Sequence, residues 1–189
     1  MRRFLFLAAL LASSGLPASA LAGGGSYGFD GGTRSQQAQV RAALEASAFD
    51  WNAVPQRVTI HLRRGVPTHA TRGHIWLDTR LVASRRFAWA TIQDEYAHQI
   101  DFFRFDAATR AQLTRQLGAR DWCYDVEGLA HHEYGCERFS STLVWAFWPS
   151  KDNAYRPASP DDESAAMEPR RFRALVSGLL AMQNPFAAG

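Results

Sequence analysis

The run Thr91-Ile92-Gln93-Asp94-Glu95-Tyr96-Ala97-His98-Gln99-Ile100-Asp101 concentrates groups that hold metals and move protons. Asp94 and His98 are four residues apart, so on a helix both side chains leave the same face. Glu95 points partly along that face, and Asp101 stands three residues after His98. A carboxylate and an imidazole one turn apart can share a metal ion, with a neighbouring Glu as proton acceptor. Plainer readings stand beside this one. Asp94 also fits a helix carboxylate paired with an Arg, and His98 a hydrogen-bonded histidine. Asp101 either supports a site residue from behind or caps a turn.

A second group of reactive types follows. Glu137 sits among Cys136, Phe139, Leu143 and Val144 in an apolar helix, where an unpaired carboxylate is costly. A ligand role and a salt bridge to an Arg both meet that cost. His131 and His132 precede it and fit either solvent-facing imidazoles, a substitute metal ligand or an oxyanion donor; Tyr134 also fits the last role. Cys123 and Cys136 are the only cysteines. An even count in an exported chain points to a disulfide rather than to two thiolate ligands, whose pairs are usually closer in sequence. His61, His69 and His74 lack partners at ligand spacing and read as structural, and Trp122, Trp145 and Trp148 as core.

The elements that must position these residues form an α+β pattern. Val58–Leu62 and His74–Asp78 read as strands, with a loop from Arg63 to Arg72. Apolar residues at Phe87, Ile92, Tyr96, Ile100 and Phe103 predict a helix over 85–105 that carries the reactive run. Further helices are expected over 36–49 behind a Ser35 cap, from the Asp106 cap to Leu117, over 137–147, and over 168–182 with Phe172, Leu175, Leu179 and Met182 on one face.

At 189 residues with 47% hydrophobic and 21% charged content, the chain has enough apolar material for one ordinary domain, and disorder is excluded as its main state. Met1-Arg2-Arg3, the apolar run Phe4–Ala12 and two A-x-A sites ending at Ala20 and Ala22 read as a secretory signal peptide over 1–22. That run is too short for a membrane span, so no stable membrane anchor is expected. Loss of Arg2 and Arg3 removes most of the formal charge of +3. The remaining Arg residues are dispersed without aromatic platforms, which argues against a nucleic-acid partner. No phosphate-cradling glycine loop or G-x-S-x-G elbow is present. Residues 23–33, rich in Gly, read as a flexible linker, and 34–189 as a single domain.

Two strands, a helix with x-E-x-x-H, a loop and a helix opening with Glu resemble a small secreted zincin of the gluzincin type, over roughly Val58 to Pro149. The resemblance implies a zincin-like fold, a zinc ion held by His98, Glu137 and the residue at position 94, and a peptide or protein substrate. It makes Glu95 the base for a metal-held water that attacks a peptide bond. The family has His where this chain has Asp94. A carboxylate there still binds zinc, but its negative charge makes a bound water less acidic and favours harder metals. The family also commonly has an acid four residues after the ligand Glu, where this chain has Ser141. These departures keep open a second reading, a non-catalytic peptidase relative that binds peptides or proteins in the cleft.

Overall fold

The computed structural model describes residues 24–124 and 126–182; the stretch read as a signal peptide lies outside them. The chain runs β1 (Tyr27–Gly31), α1 (Arg34–Glu45), β2 (Val58–Arg63), β3 (His69–Thr71), β4 (His74–Asp78), α2 (Thr79–Val82), α3 (Arg86–Arg104), α4 (Ala107–Gln116), α5 (Gly135–Phe147) and α6 (Pro169–Met182). The expected mixture of helices with a small sheet is present. The sheet has the order β1-β2-β4-β3, with β1, β2 and β4 parallel and β3 antiparallel at one edge.

Alternation along β2 and β4 decides which face of the sheet is covered. Val58, Ile60, Leu62, Ile75 and Leu77 point inward and join Val40 and Leu44 of α1 and Ile92, Tyr96 and Ile100 of α3 in one core. Helix α3 is the centre of the molecule: every residue from Ile92 to Asp101 is buried. Helix α5 packs against α3, and α6 against α5.

The polar residues inside α3 fasten the elements around it. Gln93 donates to the Ala43 carbonyl of α1 at 2.7 Å. Gln99 accepts from the Gly73 N–H at 2.8 Å and donates to the Thr71 and His74 carbonyls, which pins the β3–β4 turn. Gly73 suits that turn because its φ of 80° is a conformation other residues resist. Asp101 accepts from Arg110 of α4 at 2.8 Å and from the Trp122 indole at 3.1 Å.

Several sequence expectations change. Residues 27–31, read as part of a flexible linker, form a strand, because Tyr27 and Phe29 pack on the core and Arg41 covers the Phe29 ring. Thr33, not Ser35, caps α1, in a reciprocal capping box with Gln36. That helix stops at Glu45 instead of Phe49, and the Trp51 indole donates to the terminal carbonyl of Leu44 at 3.0 Å. The loop over 63–72 contains β3. Phe87 and Met182, placed on buried faces by periodicity, are 77% and 76% exposed at the ends of their helices. His61, His69 and His74, read as structural, join a stacked array on the sheet. His61 stacks on Trp76, which stacks on His69, while His61 bridges Asp30 at 2.8 Å and His74 at 3.0 Å across the outer face of the sheet.

Cys123 and Cys136 are joined in a disulfide, with Cα atoms 5.4 Å apart. No helix among the described residues is long and apolar enough to cross a membrane.

Candidate metal centre

Helical spacing brings Asp94, Glu95 and His98 to one cleft from α3, and α5 brings Glu137 from its first turn. The N-terminus of α5 is tied at three points to residues 121–123. The disulfide ties Cys136 to Cys123, and the N–H groups of Gly135 and Cys136 donate to the Asp121 and Trp122 carbonyls at 2.8 Å. A Cβ at Gly135 would lie 2.7 Å from the Trp122 ring, so glycine lets the helix start against that ring. Asp101 acts here. It stands behind His98, not in the cleft, and fixes Trp122, so it positions the segment that delivers Glu137.

The cleft encloses about 410 Å³. Thr68, His69 and Ala70, at the start of edge strand β3, line it together with Asp94, Glu95, His98, Tyr124 and His131. Ligand atoms of Asp94, His98 and Glu137 all lie within 4.8 Å of one another. His98 Nε2 is 4.0 Å from Asp94 Oδ2 and 3.5 Å from Glu137 Oε2. Donors on a tetrahedral zinc at about 2.0–2.2 Å stand roughly 3.3–3.6 Å apart, so His98 and Glu137 already have that spacing and Asp94 must draw closer to join them. Glu95 shares the cleft without belonging to that converging trio.

Burial and crowding of like charges disturb the whole group. Burial pushes the Asp94 carboxyl up to about 6, with the His98 charge opposing. Burial, reinforced by Asp94, pushes Glu95 up to about 8. Burial alone would lower His98, but the Glu137 carboxylate beside it and the charge of Asp94 drive it up to about 9. Burial works to raise Glu137, yet its contacts with His98, His131 and Tyr124 hold it below the ordinary value. Buried carboxylates around one imidazole make a cluster that a divalent cation would neutralise.

Sequence reasoning missed three residues of the site. Tyr124 donates to Glu137 Oε1 at 2.8 Å; its φ of 61° is strained for a non-glycine residue and coincides with this contact. Tyr155 lines both this cleft and a neighbouring pocket of about 460 Å³. Glu163, on the 3₁₀ turn Glu163–Ala165, bonds His131 Nδ1 at 2.6 Å and accepts from the Ser141 hydroxyl at 3.2 Å. All three lie in segments without periodicity, and only the acidic run Asp161-Asp162-Glu163 marks any of them in the sequence.

Two candidate residues fall elsewhere. His132 lines the neighbouring pocket, not the cleft. Tyr134 is buried under Tyr124, with ring centroids 4.2 Å apart, and its hydroxyl donates to the Val126 carbonyl. Neither Asp94 nor Glu137 pairs with an Arg among the described residues; their neighbours are His98 for both, Ser141 for Asp94, and His131 and Tyr124 for Glu137.

Comparison with protein-family models, curated proteins and solved structures gave no match. Function therefore rests on the site.

Proposed function

We propose that this protein is an exported, zinc-dependent hydrolase of the peptidase type, built on a zincin-like domain. The observation that carries this reading is the convergence of Asp94, His98 and Glu137 in a cleft that also presents Glu95. The donor set fits a divalent metal by spacing and by type, since imidazole and carboxylates are ordinary zinc ligands. When bound, the metal supplies Lewis acidity that polarises a carbonyl and makes a water easier to deprotonate.

The residues of the chain supply the remainder. Glu95 accepts the proton of the attacking water at its carboxylate and passes it to the leaving amine. Burial raises its proton affinity into the range useful near neutral pH, and a nearby cation moderates that rise. Tyr124 and His98 fix the Glu137 carboxylate. Edge strand β3 supports a peptide as substrate, because an extended chain can pair with an outer strand beside the catalytic groups. The disulfide and the sequence of residues 1–22 support an extracytoplasmic location.

The test is digestion of a mixed peptide library by the natively exported, zinc-loaded protein, read by mass spectrometry. Cleavage that disappears with a chelator and in Glu95→Gln is the expected result. Peptide retention without cleavage in the loaded protein would favour the non-catalytic reading, to which Asp94 lends support.

A further inference from the structure

Against the gluzincin pattern that the sequence resembles, Asp94 stands where an imidazole is expected and Ser141 where a carboxylate is expected. An imidazole reaches the cleft from another segment, and a carboxylate, Glu163 in the neighbouring pocket, backs it. His131, on the 3₁₀ turn His131–Glu133, sets its Nε2 3.3 Å from Glu137 Oε2, the oxygen that also faces His98 Nε2 at 3.5 Å. Two imidazole nitrogens from separate elements thus flank one carboxylate oxygen, at the separation expected between donors on a common ion. The far nitrogen of His131, Nδ1, is taken by Glu163 Oε1 at 2.6 Å. A carboxylate on one ring nitrogen fixes the tautomer and leaves the other nitrogen free to bind a metal.

Ser141 joins the two replacements. Its hydroxyl lies 3.2 Å from Glu163 Oε2 and 3.4 Å from Asp94 Oδ1, so a residue small enough to admit Glu163 also touches the Asp94 carboxylate. Both supporting turns are secured. Thr142 donates to the Glu163 carbonyl at 3.2 Å. Glu133 accepts from Arg120 and from the Ala130 N–H, each at 2.8 Å.

We propose that His131 is the second imidazole ligand of the metal centre, oriented by Glu163, so that the imidazole lost at position 94 is restored from a loop. The proposal rests on the metal-site reading above. His131 stands beside Glu137 but outside the trio whose donors all lie within 4.8 Å of one another, so its exposed side chain must swing inward to complete a set of two imidazoles and two carboxylates, neutral overall with a divalent ion and suited to zinc. The His131 side chain is 60% exposed at the cleft rim, so it is the donor best placed to move aside for a substrate.

The test is zinc affinity, by competition with a chromogenic chelator, on the exported and oxidised full-length protein and its variants, each first checked for an unchanged metal-free melting temperature. His131→Ala is expected to weaken zinc by at least about tenfold, and Glu163→Gln by about tenfold. The double variant Asp94→His/His131→Ala is expected to regain affinity to within about threefold of the parent, counting imidazoles as the tetrahedral donor set requires. Because Asp94→His also raises affinity in the parent chain, ligation is read from non-additivity: the gain from Asp94→His must be larger in the His131→Ala background than in the parent, and equal gains mean a structural role and overturn the proposal. Unchanged affinity in His131→Ala, with metal lost in His98→Ala, overturns the proposal and leaves the metal site standing. A double variant as weak as His131→Ala also overturns it. A parent chain that binds no zinc refutes the metal-site reading and this proposal with it.

Discussion

Replacing Glu95 by Gln should make the metal-free protein more stable while removing the proposed proton acceptor. The Glu95 carboxyl, about 4.5 in an open chain, is pushed up to about 8 by burial and by the neighbouring Asp94. Between those limits the folded state holds a proton that the unfolded state has released. A raised carboxyl therefore costs stability as pH rises from about 4.5, and the cost levels off above about 8. At about 1.4 kcal/mol per pH unit, the penalty at pH 7 is about 3 kcal/mol. Gln has nearly the same shape and no charge in either state, so Glu95→Gln escapes this penalty. Urea unfolding in chelator at pH 5, 6, 7 and 8 should show the variant gaining about 2–3 kcal/mol at pH 7 and little at pH 5. The melting temperature at pH 7 should rise by roughly 5–10 °C. A difference that does not change with pH, or a variant less stable at pH 7, would refute the claim that a buried, crowded carboxyl stands here.

Three further outcomes are expected. Cys123→Ser/Cys136→Ser should cost about 3 kcal/mol in chemical unfolding, because the bridge closes a short loop, and should also weaken zinc by loosening the start of α5. Asp101→Leu should cost about 3 kcal/mol by thermal melt, since it strands the Trp122 indole and the Arg110 guanidinium; a cost below about 1 kcal/mol would show that Asp101 positions nothing. Asp94→His should raise zinc affinity by calorimetry, because an imidazole replaces a charged ligand on an ion that suits nitrogen donors; an unchanged or weaker affinity would place position 94 outside the metal centre.

Periodicity made α3 legible, and with it the common face of Asp94 and His98 that the structure converges. Alternation made β2 and β4 legible in the same way, since one face of each strand is buried. Asp106 was legible as a cap because its side chain accepts from the Thr109 N–H three residues on. Irregular segments were not legible. Tyr124 enters the site through a backbone angle that no hydropathy pattern encodes, and Glu163 through a 3₁₀ turn defined by tertiary contacts. Strand β3 is only three residues long and is held by Gln99 from below, so its existence depends on α3. The glycine-rich start concealed β1 for a related reason. Composition suggested flexibility there, whereas the register of Tyr27 and Phe29 against the core decided the structure.

The most direct measurement of the central claim is zinc stoichiometry and affinity of the natively exported chain, by elemental analysis and competition titration, beside His98→Ala. The metal-centre reading predicts one zinc per chain in the parent and none retained in His98→Ala at equal protein concentration. Equal zinc in both, or none in a folded, oxidised parent supplied with the metal, would contradict it.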